Sequence, residues 1–175
     1  LLFGAFGYEE GIGYTIYYTT NFIFTGLAVA VAFHAGLFNI GGEGQAYIGG
    51  LGAGLVALYL DPTLSAWVFL SASILGALVF GALWALIPAY LQAYRGSHIV
   101  ITTIMFNFLA SSLMVFLMVH VLREAGQMTP QSELFPTQAW MPFVHDVVAG
   151  FGYSIESSPL NMSVILALVC AVLVW

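Results

Sequence analysis

Long apolar runs separated by short polar breaks set the frame of this chain. Residues 11–42, 44–60, 62–94, 96–122 and 157–175 carry no Asp, Glu, Lys or Arg. Most of these runs reach or exceed the roughly 20 residues that a helix needs to cross a bilayer. The pattern predicts helices over Thr19 to Phe38, Ala46 to Leu60, Leu64 to Tyr94 and Ile99 to Leu122, and a fifth beginning near Leu160. Leu1 to Tyr14 is glycine-rich and carries Glu9 and Glu10, which reads as an extramembrane connection. The segment Asn39-Ile40-Gly41-Gly42-Glu43-Gly44-Gln45 is too polar and glycine-rich to continue a lipid-facing helix and too short for a domain linker. It predicts a helix break, or re-entrant segment, buried in protein. Asp61-Pro62 marks a turn, Pro88 predicts a kink near the end of the long third helix, and 123–159 is a polar, proline-containing loop.

Composition strengthens this picture. Hydrophobic residues make up 61% of the chain and charged ones 6%, with a mean hydropathy of +1.00; soluble domains carry roughly 25% charged residues. So few charges cannot cover a water-facing surface, and the expected fold class is all-α, a polytopic transmembrane helical bundle. Small residues recur at four-residue spacing as Ala28, Ala32, Gly36, as Ala46, Gly50, Gly54, and as Ala77, Gly81, Ala85, Ala89. Such stripes let helix backbones approach closely in lipid and predict tight packing along those faces. The chain opens on Leu1 and stops at Trp175 inside an apolar run, which predicts an internal piece of a longer protein in which no signal peptide can be sought.

Charge fixes the orientation and excludes two function classes. Arg95 should mark the cytoplasmic side; alternation from there puts Asp61, Glu9, Glu10 and the whole 123–159 loop outside. A net charge of −6 with two basic residues leaves no footprint for nucleic acid, which needs clustered Lys and Arg against phosphate. The single cysteine, Cys170, excludes disulfides within the chain and four-ligand cysteine zinc sites. His34, His98, His120 and His145 lie on separate segments without i, i+4 pairing, so no metal site is assigned. No phosphate-binding loop, nucleophile elbow or paired catalytic carboxylates occur, and no catalytic residue is assigned.

Glu43 is the one carboxylate away from the predicted interfacial loops. At membrane depth it is either a functional group at a substrate path or gate, or a cap that satisfies backbone N–H groups at the start of the next helix. Thr103, Asn107 and Ser111 share one face of the fourth helix. They either line a polar pathway, Asn107 offering both donor and acceptor, or hydrogen-bond within the bundle.

Two segments carry a resemblance. Thr25-Gly26-Leu27-Ala28-Val29-Ala30 followed by Gly36-Leu37-Phe38-Asn39-Ile40-Gly41-Gly42-Glu43-Gly44-Gln45, and Thr102-Thr103-Ile104-Met105-Phe106-Asn107-Phe108, resemble the nucleoside and simple-sugar branch of the ribose and branched-chain amino acid permease family. Thr129-Pro130-Gln131-Ser132 with Trp140-Met141-Pro142 is similar to that branch's external loop. The resemblance implies that residues 1–175 form a single transmembrane permease domain, about the first half of such a subunit without its first helix, with 123–159 as an extracytoplasmic loop. It implies the permease subunit of an ABC importer in the bacterial inner membrane, paired with a second permease subunit, two cytoplasmic ATPase subunits and an extracytoplasmic substrate-binding protein. The chain itself would bind no cofactor, ATP and Mg being held by the ATPases. Asn39, Glu43, Gln45, Thr103 and Asn107 would lie near the substrate pathway. His34 departs from the family's Arg or Lys and puts any ion pair with Glu43 in doubt. The rival readings are a secondary transporter driven by an ion gradient, which also uses broken helices, and a non-transporting membrane scaffold.

Overall fold

The computed structural model describes residues 2–175, leaving Leu1 outside the description. Its elements are α1 (Leu2–Phe6), α2 (Glu9–His34), α3 (Gly42–Tyr59), α4 (Ala66–Arg95), α5 (Ile99–His120), a 3-10 turn (Thr137–Ala139), α6 (Val144–Ala149) and α7 (Ser163–Val174). No strand occurs among the described residues, and the all-α expectation holds. Three helices, α2, α4 and α5, are long and apolar enough to cross a membrane. The chain divides into two compact units, residues 1–35 with 141–175 and residues 36–140.

In the first unit α2 begins at Glu9, ten residues before the predicted Thr19, and ends at His34, short of the predicted Phe38. The glycines that suggested a loop serve close packing instead. Gly11 and Gly13 are buried; a Cβ on Gly11 would lie 2.5 Å from the Gly4 carbonyl oxygen, and one on Gly13 would strike the Ser158 side chain. The Thr15 hydroxyl donates to the Ala5 carbonyl at 3.0 Å, holding α1 against the first turns of α2. Glu9 and Glu10 form the start of α2 itself. The Glu10 N–H donates to the Glu156 carboxylate at 3.3 Å and the Glu156 N–H to the Glu9 carboxylate at 3.2 Å, so the loop's Glu156 satisfies a helix N-terminus that favours negative charge. α2 packs on α7. α7 starts three residues later than expected, because the Asn161 side chain accepts the Ser163 N–H at 3.0 Å and makes a turn there.

The second unit is built on α3, α4 and α5. α4 is Ala66–Arg95 and runs unbroken through Pro88, whose ring is buried. That proline removes one donor from the ladder and leaves the Trp84 carbonyl without its usual partner. At Gly96 the backbone turns left-handed (φ 66°), with Gly96 and Ser97 N–H groups returning to the Gln92 and Leu91 carbonyls. This cap stops α4, and α5 begins at Ile99.

The tightest contact in the unit is between α3 and α4. A Cβ on Gly52 would lie 2.5 Å from the Gly76 carbonyl oxygen, and one on Gly76 2.8 Å from the Gly52 carbonyl oxygen. A Cβ on Gly49 would meet the Ala77 carbonyl at 3.2 Å, while Gly81 sits over the Gln45 carbonyl. The predicted Ala77-Gly81 stripe of α4 is therefore a packing face. The predicted Ala46-Gly50-Gly54 stripe of α3 is not: a Cβ on Gly50 would have no neighbour within 4 Å, and one on Gly54 would meet only the Phe135 ring. The face that packs is Gly49-Gly52.

Large apolar side chains point outward all along these helices, as with Phe22, Trp67, Leu75 and Phe108. Small residues share the interior with a few large ones: Ala110 and Ala167 are wholly buried, as is Phe69. An exterior so rich in large apolar side chains suits a chain whose outer solvent is hydrocarbon. The short turn between α4 and α5 carries Arg95. Leu58 and Tyr59 of α3 lie with Val121, Leu122 and Arg123 around one small cavity, which places the ends of α3 and α5 together. Asp61, Arg123, Glu124 and Glu133 follow those two ends, so within this unit every carboxylate except Glu43 lies in segments that follow the ends opposite Arg95.

Candidate functional site

The break between α2 and α3 occupies residues 35–41 rather than 39–45. Gly42 opens α3, which puts Glu43 and Gln45 inside its first turns. Asn39 shapes the approach: its Oδ1 accepts the Gly41 N–H at 2.8 Å, a local turn that mimics backbone. One carbonyl later, the Gln45 N–H returns to Gly41 at 3.0 Å and the helix is under way.

Asn107 of α5 fastens this entry. Its Oδ1 accepts the Gly44 N–H at 2.8 Å and its Nδ2 donates to the Ile40 carbonyl at 2.9 Å. One amide thus satisfies a donor at the start of α3 and an acceptor in the break, which only a side chain with both functions can do. The approach is close enough to require glycine: a Cβ on Gly44 would lie 3.0 Å from Asn107 Oδ1 and 3.1 Å from its Cα. Thr103, one turn earlier on the same face, is 1% exposed. Its hydroxyl donates to the Ile99 carbonyl at 2.8 Å, and its Cβ stands 3.2 Å from where a Cβ on Gly41 would be. Gln45 Nε2 lies 3.3 Å from the same point.

Asn39, Gln45 and Thr103 are therefore gathered around Gly41, and Asn107 is bonded to Ile40 and Gly44 on either side of it. Asn107 lies eight residues past the start of α5, about 12 Å along its axis at 1.5 Å per residue. The break thus meets α5 well inside the length of that helix, and α3 starts at depth.

Glu43 is turned away from this knot. It is solvent-exposed in the unit, one residue into α3, and takes part in no ion pair among the described residues. Glu43 makes no capping hydrogen bond, the Gly44 and Gly41 N–H groups being taken by Asn107 and Asn39, but it stands in the first turn of α3, where a carboxylate complements the helix dipole. Glu43 also borders a largely apolar cavity of about 340 Å³, together with Ala46, Tyr47, Gly50 and Met114. Ser111, the third member of the predicted polar face, borders a neighbouring cavity with Tyr47 and Met114. Tyr47 and Met114 are side chains that the sequence reading passed over. Their signal was present, since Tyr47 sits at i+4 from Glu43 and Met114 at i+3 from Ser111.

His34 satisfies itself locally, its Nδ1 lying 2.8 Å from the Ala30 carbonyl at the end of α2. Outside the membrane-spanning segments, Asp61 has its carboxyl held below the usual carboxylate range by the Thr63 N–H and then by the Thr63 hydroxyl, at 2.9 and 2.8 Å.

Comparison with known proteins gives a consistent set of relatives. The family described as branched-chain amino acid transport system, permease component, matches residues 11–175. A guanosine ABC transporter permease protein of Bacillus subtilis (strain 168) is 34% identical over 98% of this chain and 47% of its own length. A glucose ABC transporter permease protein of Haloferax volcanii is 37% identical over 86% of this chain and 38% of its own. A nucleoside ABC transporter permease protein of Lactococcus lactis subsp. cremoris is 31% identical over 99% of this chain and 47% of its own. The chain thus spans about half the length of these curated relatives or less. No solved structure matches it.

Proposed function

Since the chain belongs to the permease-component family of branched-chain amino acid transport systems, a family of multi-pass proteins of the plasma membrane, we propose that it is part of the permease subunit of an ATP-driven importer for nucleosides or simple sugars. The observation that carries this reading is that relatives named for guanosine, nucleoside and glucose transport align along nearly the whole chain. The matched region includes the Asn39–Gln45 entry and its anchor on α5. In this reading the chain is not an enzyme: it holds no cofactor, and ATP with Mg is bound and hydrolysed on cytoplasmic ATPase subunits. A second permease subunit completes the channel, and an extracytoplasmic binding protein delivers the substrate on the side of Arg123 and Glu133.

Asn39, Gln45, Thr103 and Asn107 shape one wall of the pathway by holding the start of α3 at depth, and Glu43 faces the pathway itself. An intramembrane carboxylate without a partner is a costly feature, and a half-buried helix start aimed into a passage is how transporters place polar groups at mid-membrane. The test is uptake of radiolabelled nucleosides, pentoses and glucose into cells carrying the whole transporter, beside the same transporter with a hydrolysis-dead ATPase. Uptake lost with the dead ATPase is the expected result and names the substrate. Uptake indifferent to the ATPase but abolished by collapsing the ion gradient would replace this reading with a secondary transporter.

A further inference from the structure

One face of α2 carries a polar group that the pathway reading does not use. Asn21 stands twelve residues after Glu9 and thirteen before His34, about 18 Å from one end of the helix and 20 Å from the other at 1.5 Å per residue. The middle of a spanning helix lies inside a hydrocarbon core roughly 30 Å thick, so Asn21 is at depth. It is also exposed. The hydroxyls of Thr19, Thr20 and Thr25 are each spent on carbonyls of their own helix, whereas the Asn21 amide has no hydrogen-bond partner among the described residues.

An amide in that position is poorly suited to face lipid. Its N–H donors and its carbonyl oxygen would all go unmet in hydrocarbon, at a cost for each, and Asn is too short to carry them to the headgroups as Lys and Arg do. The residues around it agree. At about 100° per residue, Glu10, Tyr14, Tyr17, Thr25, Ala28 and Ala32 fall within about 40° of Asn21, and no Leu, Ile, Val, Met or Phe shares that sector. Phe22 (73% exposed), Phe33 (66%) and Val29 turn outward, about 80–120° to one side. Gly13 and Thr20, both buried, lie about as far to the other side and mark a face covered within this unit. The Asn21 sector is neither of these.

We propose that this sector of α2 seats a different membrane-spanning helix, one outside residues 1–35 and 141–175, which brings small residues against Ala28 and Ala32 and a hydrogen-bonding side chain to Asn21. Small residues let two backbones approach closely in lipid, and a polar side chain then bonds across the pair. The amide, donor and acceptor at once, meets either kind of partner. A water-filled passage does not suit this face: toward His34 it offers only the Thr25 hydroxyl, already spent, and two alanines. A second copy of α2 does not suit it either. About a two-fold axis each residue meets its own counterpart, which would set Glu10 against Glu10.

The experiment places a nitroxide spin label at Asn21→Cys, Ala28→Cys and Phe22→Cys in a cysteine-free version of the complete transporter, reconstituted in vesicles. Relaxation by oxygen, which concentrates in lipid, is compared with relaxation by a water-soluble nickel chelate. At 21 and 28 the expected label is immobile and shielded from both; at 22 it is mobile and open to oxygen. Oxygen access at 21 equal to that at 22 puts lipid on this face and overturns the proposal. Nickel access at 21 puts water there, and dipolar broadening between labels puts a second copy there; either result overturns it. A label is bulky, so the unlabelled variant Asn21→Leu supplies a second readout. It should lower the thermal midpoint of the assembled transporter by a few degrees, the scale of one lost interhelical hydrogen bond in a chain of this size. An unchanged or raised midpoint, as expected for a leucine in lipid, overturns the proposal. Both readouts concern packing and not uptake, so they are decided independently of the importer reading.

Discussion

Asn107→Ala is the sharpest probe of how the α3 entry is held. The substitution deletes the acceptor of the Gly44 N–H and the donor to the Ile40 carbonyl together. Gly44 is buried, so its N–H is stranded, at a cost of about 1–3 kcal/mol for a buried unsatisfied group. The Ile40 carbonyl belongs to an exposed residue and can be hydrated, so it adds little. Interhelical hydrogen bonds measured in a membrane bundle average only about 0.6 kcal/mol, which pulls the expectation down to about 1–2 kcal/mol. That corresponds to a rise of about 5–30-fold in the population with the entry undocked. The assay is hydrogen exchange at Gly44 and Gln45 in the reconstituted transporter, where faster exchange by that factor is expected at both amides while the middle of α4 is unmoved. Asn107→Asp supplies the control. It keeps an acceptor for Gly44 but sets a second oxygen against the Ile40 carbonyl, so exchange at Gly44 should fall between wild type and Asn107→Ala. Exchange at Gly44 in Asn107→Ala within about two-fold of wild type, a difference too small for a stranded buried donor, would refute the clamp.

Other perturbations separate close contacts from open ones. Gly52→Ala places a methyl 2.5 Å from the Gly76 carbonyl oxygen and should destabilise the α3–α4 pair by about 1–3 kcal/mol as overpacking, read as a lower thermal midpoint of the purified subunit; Gly50→Ala, with open space around it, should change stability by less than about 0.5 kcal/mol in the same measurement. Thr103→Val removes a hydroxyl bonded only within its own helix and should leave uptake near wild type, whereas Thr103→Leu should push Gly41 away and lower it; a collapse in Thr103→Val would assign the hydroxyl to the substrate. Asp61→Ala should loosen the turn into α4 by removing the acceptor for both Thr63 groups, measured as faster cleavage of this loop by protease. Because the Asp61 carboxyl is held below its ordinary range, its ionised form supports the turn throughout neutral and mildly acid pH. That support is lost only as the pH falls below about 3.9, the ordinary aspartate value.

The helices that cross a membrane were legible because hydropathy over twenty residues averages out local detail; α4 and α5 begin and end within two residues of their expected limits. The start of α2 was not, because glycine carries two messages. At Gly11 and Gly13 it permits contact with Gly4 and Ser158 inside a continuing helix, and sequence alone presents the same residues as a loop. The candidate site was legible as a set but not in its division of labour. Asn39 and Asn107 looked as available for a substrate as Glu43, and only the folded chain reveals that both spend their side chains on backbone groups of residues 40–44.

The orientation of α3 follows from the same division. With glycine at 42, 44, 49, 50, 52 and 54, this helix presents small residues on every side, and four-residue spacing cannot choose among them. Advancing about 100° per residue, Glu43, Tyr47, Gly50 and Gly54 cluster on one side, and Gly49, Gly52 and Val56 fall nearly opposite. The second set meets α4 because nothing longer than a hydrogen intervenes at the two glycines, which lets the Gly52 and Gly76 backbones touch. The first set could not serve there: a backbone contact as close as that between Gly52 and Gly76 has no room for the Tyr47 ring, and it would bury the Glu43 carboxylate without a partner, the costliest arrangement available in a membrane. A single rotation of α3 about its axis thus places its closest packing and its one carboxylate on opposite sides. The cavity beside Glu43 and Tyr47 remains open for the same reason that α4 fits so closely on the other side.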